Sequence, residues 1–474
     1  MTIYLRDTDE RSSDVEHAGR CAYEHVFDAA DERDADESPP VWRCPHPASD
    51  GTDRCLFHRP VEETRPAAVT EALREAVEDD ARPSAFVGGA FEHIDLAGVT
   101  PGSGASLDFR GAMVKADIDL RDATLDGALR LDRVSVGGAV CMQRLDAPEA
   151  VSCRHLQAGD RWVLCEARFG ARFDATGFSA ETVVATAARF EGGATFRKGV
   201  VDADVSVAEA YFGGPAWFSH TRLDGRLDLG SATCDHRLSL AHCRVRGDVV
   251  AAAATVDDGL SLEHLTVDGA LDATRLTVDG GIDATTAAFG DRVDCTGLTA
   301  RGGTVDFTHS AFDGPVYFDN ASVEGRALCF RSARFESGPA SFVRATVDGG
   351  LDLSDVVCSA ESPVRLVEAA VEESVVCDHA RFGDELFCSG VRVARDVDLS
   401  DCTVGTLTFG VEIGGRLDFA YAHVTDAAAF GDTVVHGPAR FTSARFDADP
   451  ALTEATLDDT VAAYDVTVER AGGP

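Results

Sequence analysis

The chain has 474 residues, is 45% hydrophobic and 26% charged, and carries a formal net charge of −38. This balance excludes a disordered or collagen-like polymer and leaves room for more than one ordinary domain. Only two lysines, Lys115 and Lys198, stand among the 43 basic residues; a Lys-poor acidic surface suits hydration at high ionic strength and repels nucleic acid and anionic membranes, so direct binding to either is not expected.

The opening residues, MTIYLRDTDERSS, carry acids early and lack an apolar signal core. No stretch holds the ~18–20 apolar residues of a membrane helix. The expected location is the cytoplasm, with the 14 cysteines reduced.

Residues 1–62 read as a small module with an acidic insert, FDAADERDADESPP. Cys44-x10-Cys55-x2-His58 has the spacing of a structural zinc site, and Gly51 permits the turn between the two thiols. Cys21 is the expected fourth ligand, with His25 and His46 as alternatives. Four protein ligands leave no open position, so zinc here would be structural rather than catalytic. The string VWRCPHPASDGTDRCLFHRP, with its literal Trp42-Arg43-Cys44, resembles the plant WRC-type zinc module. It departs from that module in the long gap between Cys21 and Cys44, and its surroundings are not basic.

Residues 63–82 predict a capping helix, because Val69, Ala72, Leu73, Ala76 and Val77 share one helical face. From 83 to 448 the chain repeats itself. LSLEHLTVDGA, LDATRLTVDGG and IDATTAAFGDR follow one another from Leu260, each a unit of about 11 residues with period-two apolar pairs. The punctuating glycines (Gly259, Gly269, Gly280, Gly303, Gly314, Gly325, Gly338 and Gly349) are expected to supply the positive φ of tight turns. No unit this short buries its own apolar side chains, so units must stack. Two units make a coil of ~22 residues, and roughly sixteen coils at ~4.8 Å give a stack of ~75–80 Å. The segment Cys141–Cys165 fits the unit poorly and is expected to hold a bulged coil or a loop.

The triplet Ala-Arg-Phe recurs at Ala167–Phe169, Ala171–Phe173, Ala188–Phe190, Ala333–Phe335, Ala380–Phe382, Ala439–Phe441 and Ala444–Phe446. A small residue two before Phe or Leu resembles the pentapeptide-repeat proteins. The resemblance implies an all-β fold, a right-handed, four-sided β-helix with Leu and Phe inside. Residues 449–474 are expected to form a C-terminal cap, with a helix around PALTEATLDDTVAAYDVTVE, so that short helical caps close both ends.

No GxSxG, Walker loop or HExxH appears, so an enzyme is not expected. The eleven cysteines within the repeats are read as small hydrophobes, and the histidines at repeat turns as surface or corner filling. The resulting expectation is a non-catalytic interaction scaffold for a protein partner, with end-to-end pairing of two copies also open to it. The alternative is a DNA-mimicking regulator of a topoisomerase or another DNA-binding protein, which the pentapeptide resemblance implies.

Overall fold

The computed structural model describes residues 19–27, 41–79, 81–101, 104–451 and 455–468. Its backbone falls into two compact units, Met1–Val163 with Arg168–Asp174, and Leu164–Ala167 with Ala175–Pro474. Both are parallel β-solenoids built from strands mostly two or three residues long.

The register shows why the repeat folds this way. In the first unit Ile94, Ile118, Val140 and Trp162 lie one above another, as do Leu107, Leu129, Val151 and Phe173. In the second unit one column runs Ala216, Leu238, Leu260, Ile282, Val305, Leu328, Leu351, Val375, Val397, Leu417 and Ala439. All are buried, and each fully covered side chain of this size contributes about 1.5–3 kcal/mol of transfer free energy. The outward neighbours alternate with them, as period-two strands require. Where the sides remain separate strands, a strand pairs with the fourth one along, as Leu227 does with Val249, so a coil has four sides. The extra residue in the step from Ile282 to Val305 enters as a register shift after Gly302, within the lengthened strand Thr299–Asp306.

Five of the eight recurring glycines do a different job from the expected one. Gly259, Gly280 and Gly338 have positive φ, but Gly269, Gly303, Gly314, Gly325 and Gly349 do not. A Cβ on Gly349 would sit 1.9 Å from the Arg326 carbonyl oxygen, and one on Gly325 2.0 Å from that of Gly303. These positions are glycine because the neighbouring coil's backbone leaves no room for a side chain. Left-handed backbone instead recurs at non-glycine corners once per repeat unit, including Arg133, Arg144, His155, Ser231, His242, Ala253 and His264.

Two further expectations are corrected. Between Val140 and Val163 the strands step regularly, with no loop, because Val140, Ala147, Val151 and Ala158 fill the interior positions of four consecutive sides and Trp162 then stacks on Val140. The C-terminal segment is not a helical cap over residues 455–468. Thr456–Leu457, Val461–Ala462 and Thr467–Val468 are strands paired with Val434–Val435, Ala439–Arg440 and Arg445–Phe446. The exposed coil edge offers ladder bonds, such as Thr456 N–H to Thr433 O at 2.8 Å, that outweigh a weak helical pattern.

The predicted N-terminal helix runs from Pro66 to Glu78 and buries Val69, Leu73, Ala76 and Val77, with Ala72 half-buried. Pro66 opens its first turn, where a missing N–H costs nothing. Arg74 ties it to Asp95 on the first coil at 2.7 Å.

Candidate metal centre

Cys21, Cys44, Cys55 and His58 come from three separate pieces of chain. Glu24–Val26 and Val41–Arg43 form a two-stranded antiparallel ribbon that places Cys21 and Cys44 at one end. Cys21 N–H donates to His46 O at 3.0 Å, and Cys44 N–H to Tyr23 O at 3.1 Å. Gly51, at φ 75°, turns the chain back toward Cys55. A 3-10 turn, Leu56–His58, then brings the imidazole over the thiols.

The four ligating atoms lie within 4.8 Å of one another, and all four residues are buried. Cys44 Sγ is 3.7 Å from Cys55 Sγ, Cys21 Sγ is 3.7 Å from His58 Nδ1, and Cys55 Sγ is 3.1 Å from His58 Nδ1. A disulfide would need sulfurs ~2.0 Å apart. Two thiolates on a tetrahedral ion at ~2.3 Å lie about 3.8 Å apart, close to the spacing seen.

The outer groups fix which nitrogen is available. His58 Nε2 lies 2.9 Å from the Val87 carbonyl, which only accepts, so Nε2 carries the hydrogen and Nδ1 turns its lone pair to the sulfurs. Tyr23 stacks on the imidazole at 4.0 Å, and its hydroxyl fills the space over Gly88, where a Cβ would be 2.0 Å away. Phe57 packs edge-on against Phe86 of the first coil at 4.9 Å.

The two alternative ligands are occupied elsewhere. His46 is buried, stacks on Phe86 at 5.1 Å, and has Nε2 2.9 Å from Ala85 O. His25 lies over Gly111 and packs edge-on against Phe27. Tyr23, Gly88 and the Val87 carbonyl are parts of the site that sequence reasoning missed. Each meets its partner across a long stretch of intervening chain, and no local pattern announces such contacts.

Electrostatics set these thiols apart from the rest. The hydrogen bond from Cys44 lowers Cys55 to about 4, and burial opposes this. The same bond, followed by burial, raises Cys44, and burial raises Cys21. By contrast, burial pushes Cys234, Cys243, Cys358, Cys388 and Cys402 up to about 12. Those thiols are inert core filling.

The family model described as "Pentapeptide repeats (9 copies)" matches residues 307–357. No curated protein and no solved structure matches the chain. The matched span holds three stacked aromatic pairs, Phe307 on Phe330 at 5.2 Å, Phe312 on Phe335 at 5.0 Å and Phe318 on Phe342 at 5.7 Å.

Proposed function

We propose that the protein is a non-catalytic scaffold whose first solenoid coil is closed by a structural zinc centre and whose acidic faces engage a protein partner. One observation carries the reading. The imidazole that completes the Cys21, Cys44, Cys55 and His58 cluster also holds the Val87 carbonyl of the first coil. A zinc ion would pin the ribbon, the 3-10 turn and the coil edge together, with His58 as the link. It would leave no open position for a substrate. The module also covers an edge whose backbone would otherwise invite pairing with another chain.

The carboxylates favour a scaffold over a mimic of nucleic acid. Asp283, Asp306, Asp352, Asp398 and Asp418 share one column, and each accepts the backbone N–H two residues on, at 2.8–3.2 Å. Turn formation accounts for them, and Arg331 further neutralises Asp352 at 2.7 Å.

The test is metal removal. Chelation should speed amide exchange in residues 85–110, and zinc should restore protection. Exchange there that ignores both treatments would refute the cap. For the scaffold, affinity capture at high salt should return the same protein repeatedly, and reconstitution from purified components should reproduce binding. Capture that returns nothing reproducible would refute it.

A further inference from the structure

His220, His242 and His264 recur at the coil step and occupy the same corner of three consecutive coils. Each sits in left-handed backbone, at φ 61°, 57° and 54°. Coil-to-coil hydrogen bonds lock that backbone: His220 N–H to Ala241 O at 3.0 Å, His242 N–H to Glu263 O at 2.8 Å and His264 N–H to Thr285 O at 3.0 Å. The rings form an exposed stack, with centroids 4.7 Å apart at both steps and planes inclined by 2° and 24°. Glu263 stands beside them, its Oε1 3.8 Å from His264 Nε2. One ligating atom each from His242, Glu263 and His264 lies within 4.8 Å of the others.

Hydrogen bonding decides which nitrogen of His264 is free. The Thr286 hydroxyl donates to Thr285 O at 2.6 Å, so it accepts from His264 Nδ1, also at 2.6 Å. The hydrogen is therefore on Nδ1, and the Nε2 lone pair faces Glu263. A hydrogen bond on the far ring nitrogen orients a ligating imidazole in this way.

We propose that His242, Glu263 and His264 form a solvent-facing site for a borderline divalent transition-metal ion such as Ni²⁺ or Co²⁺. Two imidazoles with one carboxylate suit that class, whereas Mg²⁺ and Ca²⁺ prefer all-oxygen shells. The His242 and Glu263 side chains close the remaining distance by rotating about χ1 and χ2 on a fixed backbone, while Thr286 holds the His264 ring. Three protein ligands leave coordination positions open to water or to a partner's side chain, unlike the thiolate cluster, where four protein ligands fill the shell. His220 supplies the next rung of the stack and no metal ligand. The site is independent of the scaffold reading and of the N-terminal cluster.

The experiment is calorimetric titration of the full chain with NiCl₂, the N-terminal centre being loaded with zinc beforehand. A parallel titration with CoCl₂ is followed by visible absorption. One saturable equivalent is expected, with weak nitrogen/oxygen-type bands and no thiolate charge-transfer band. His242→Asn and His264→Asn should each weaken it at least tenfold; asparagine tolerates left-handed backbone, so both variants should keep the parent circular dichroism. His236→Ala, at an exposed histidine paired with Asp258, should bind like the parent. Absence of a saturable equivalent in the parent chain, or unchanged binding in the His242→Asn/His264→Asn double variant, would overturn the proposal.

Discussion

Phe330→Ala separates a stack of coils from a conventional core. The ring is fully buried, stacks on Phe307 at 5.2 Å, and meets Phe318 and Phe342 at 5.5 Å and Phe335 at 5.8 Å. Truncation removes those contacts and leaves a void between two flanking coils, whose ladder bonds, such as Phe330 N–H to Asp352 O at 2.7 Å, prevent collapse. A buried Phe→Ala change costs about 3–5 kcal/mol. In a solenoid each coil touches only its neighbours, so that cost should appear locally. Hydrogen exchange by mass spectrometry should show amides of residues 305–355 exchanging roughly a hundred- to several-thousand-fold faster. Amides of residues 397–446 should keep their protection. Uniform loss across both segments would mean one cooperative core, and the coil-by-coil account of stability would be wrong.

Gly349→Ala should lower the melting temperature by more than Gly230→Ala does. Its Cβ would meet a backbone carbonyl at 1.9 Å, against a nearest contact of 3.1 Å at Gly230, and forced overpacking costs about 1–3 kcal/mol; equal shifts would refute close coil approach as the reason for glycine there. At the left-handed corner Ala253, φ 55°, stability should rank Gly at or above Ala and Ala above Val, with the Val variant lower by about 1–2 kcal/mol in denaturant melts. A Val variant as stable as the parent would contradict that corner geometry. Arg144 and Arg222 hold the Asp122 and Asp224 carboxyls below their ordinary value of 3.8. A depressed carboxyl stabilises fully above its unfolded value and loses that contribution as pH falls through the folded one. Melting temperature should therefore decline below about pH 4, and less steeply in an Arg144→Gln/Arg222→Gln variant. An identical acid limb in that variant would remove these pairs from the explanation.

The solenoid was legible because its apolar pairs recur at a fixed step, and stacking is the only way such short units bury them. The four cluster residues were legible because zinc spacing is local over Cys44, Cys55 and His58. Several features were not. The Asp-Gly pattern suggested turn geometry, whereas Gly325 and Gly349 answer to the backbone of the preceding coil. The left-handed corners are carried by His, Arg, Ser and Ala, which give no turn signal of their own. Thr456–Val468 looked helical in isolation because alternation is weak there, and the preceding coil edge decided its conformation. The stack of His220, His242 and His264 was readable from the length of one coil, but scattered histidines were read one at a time.

The most direct measurement is metal content of the purified chain by mass spectrometry under native conditions, compared with Cys44→Ser and His58→Ala. The account predicts one zinc equivalent that both variants lose, together with protection in residues 85–110. A parent chain without bound metal, or one whose zinc survives both substitutions, would contradict it.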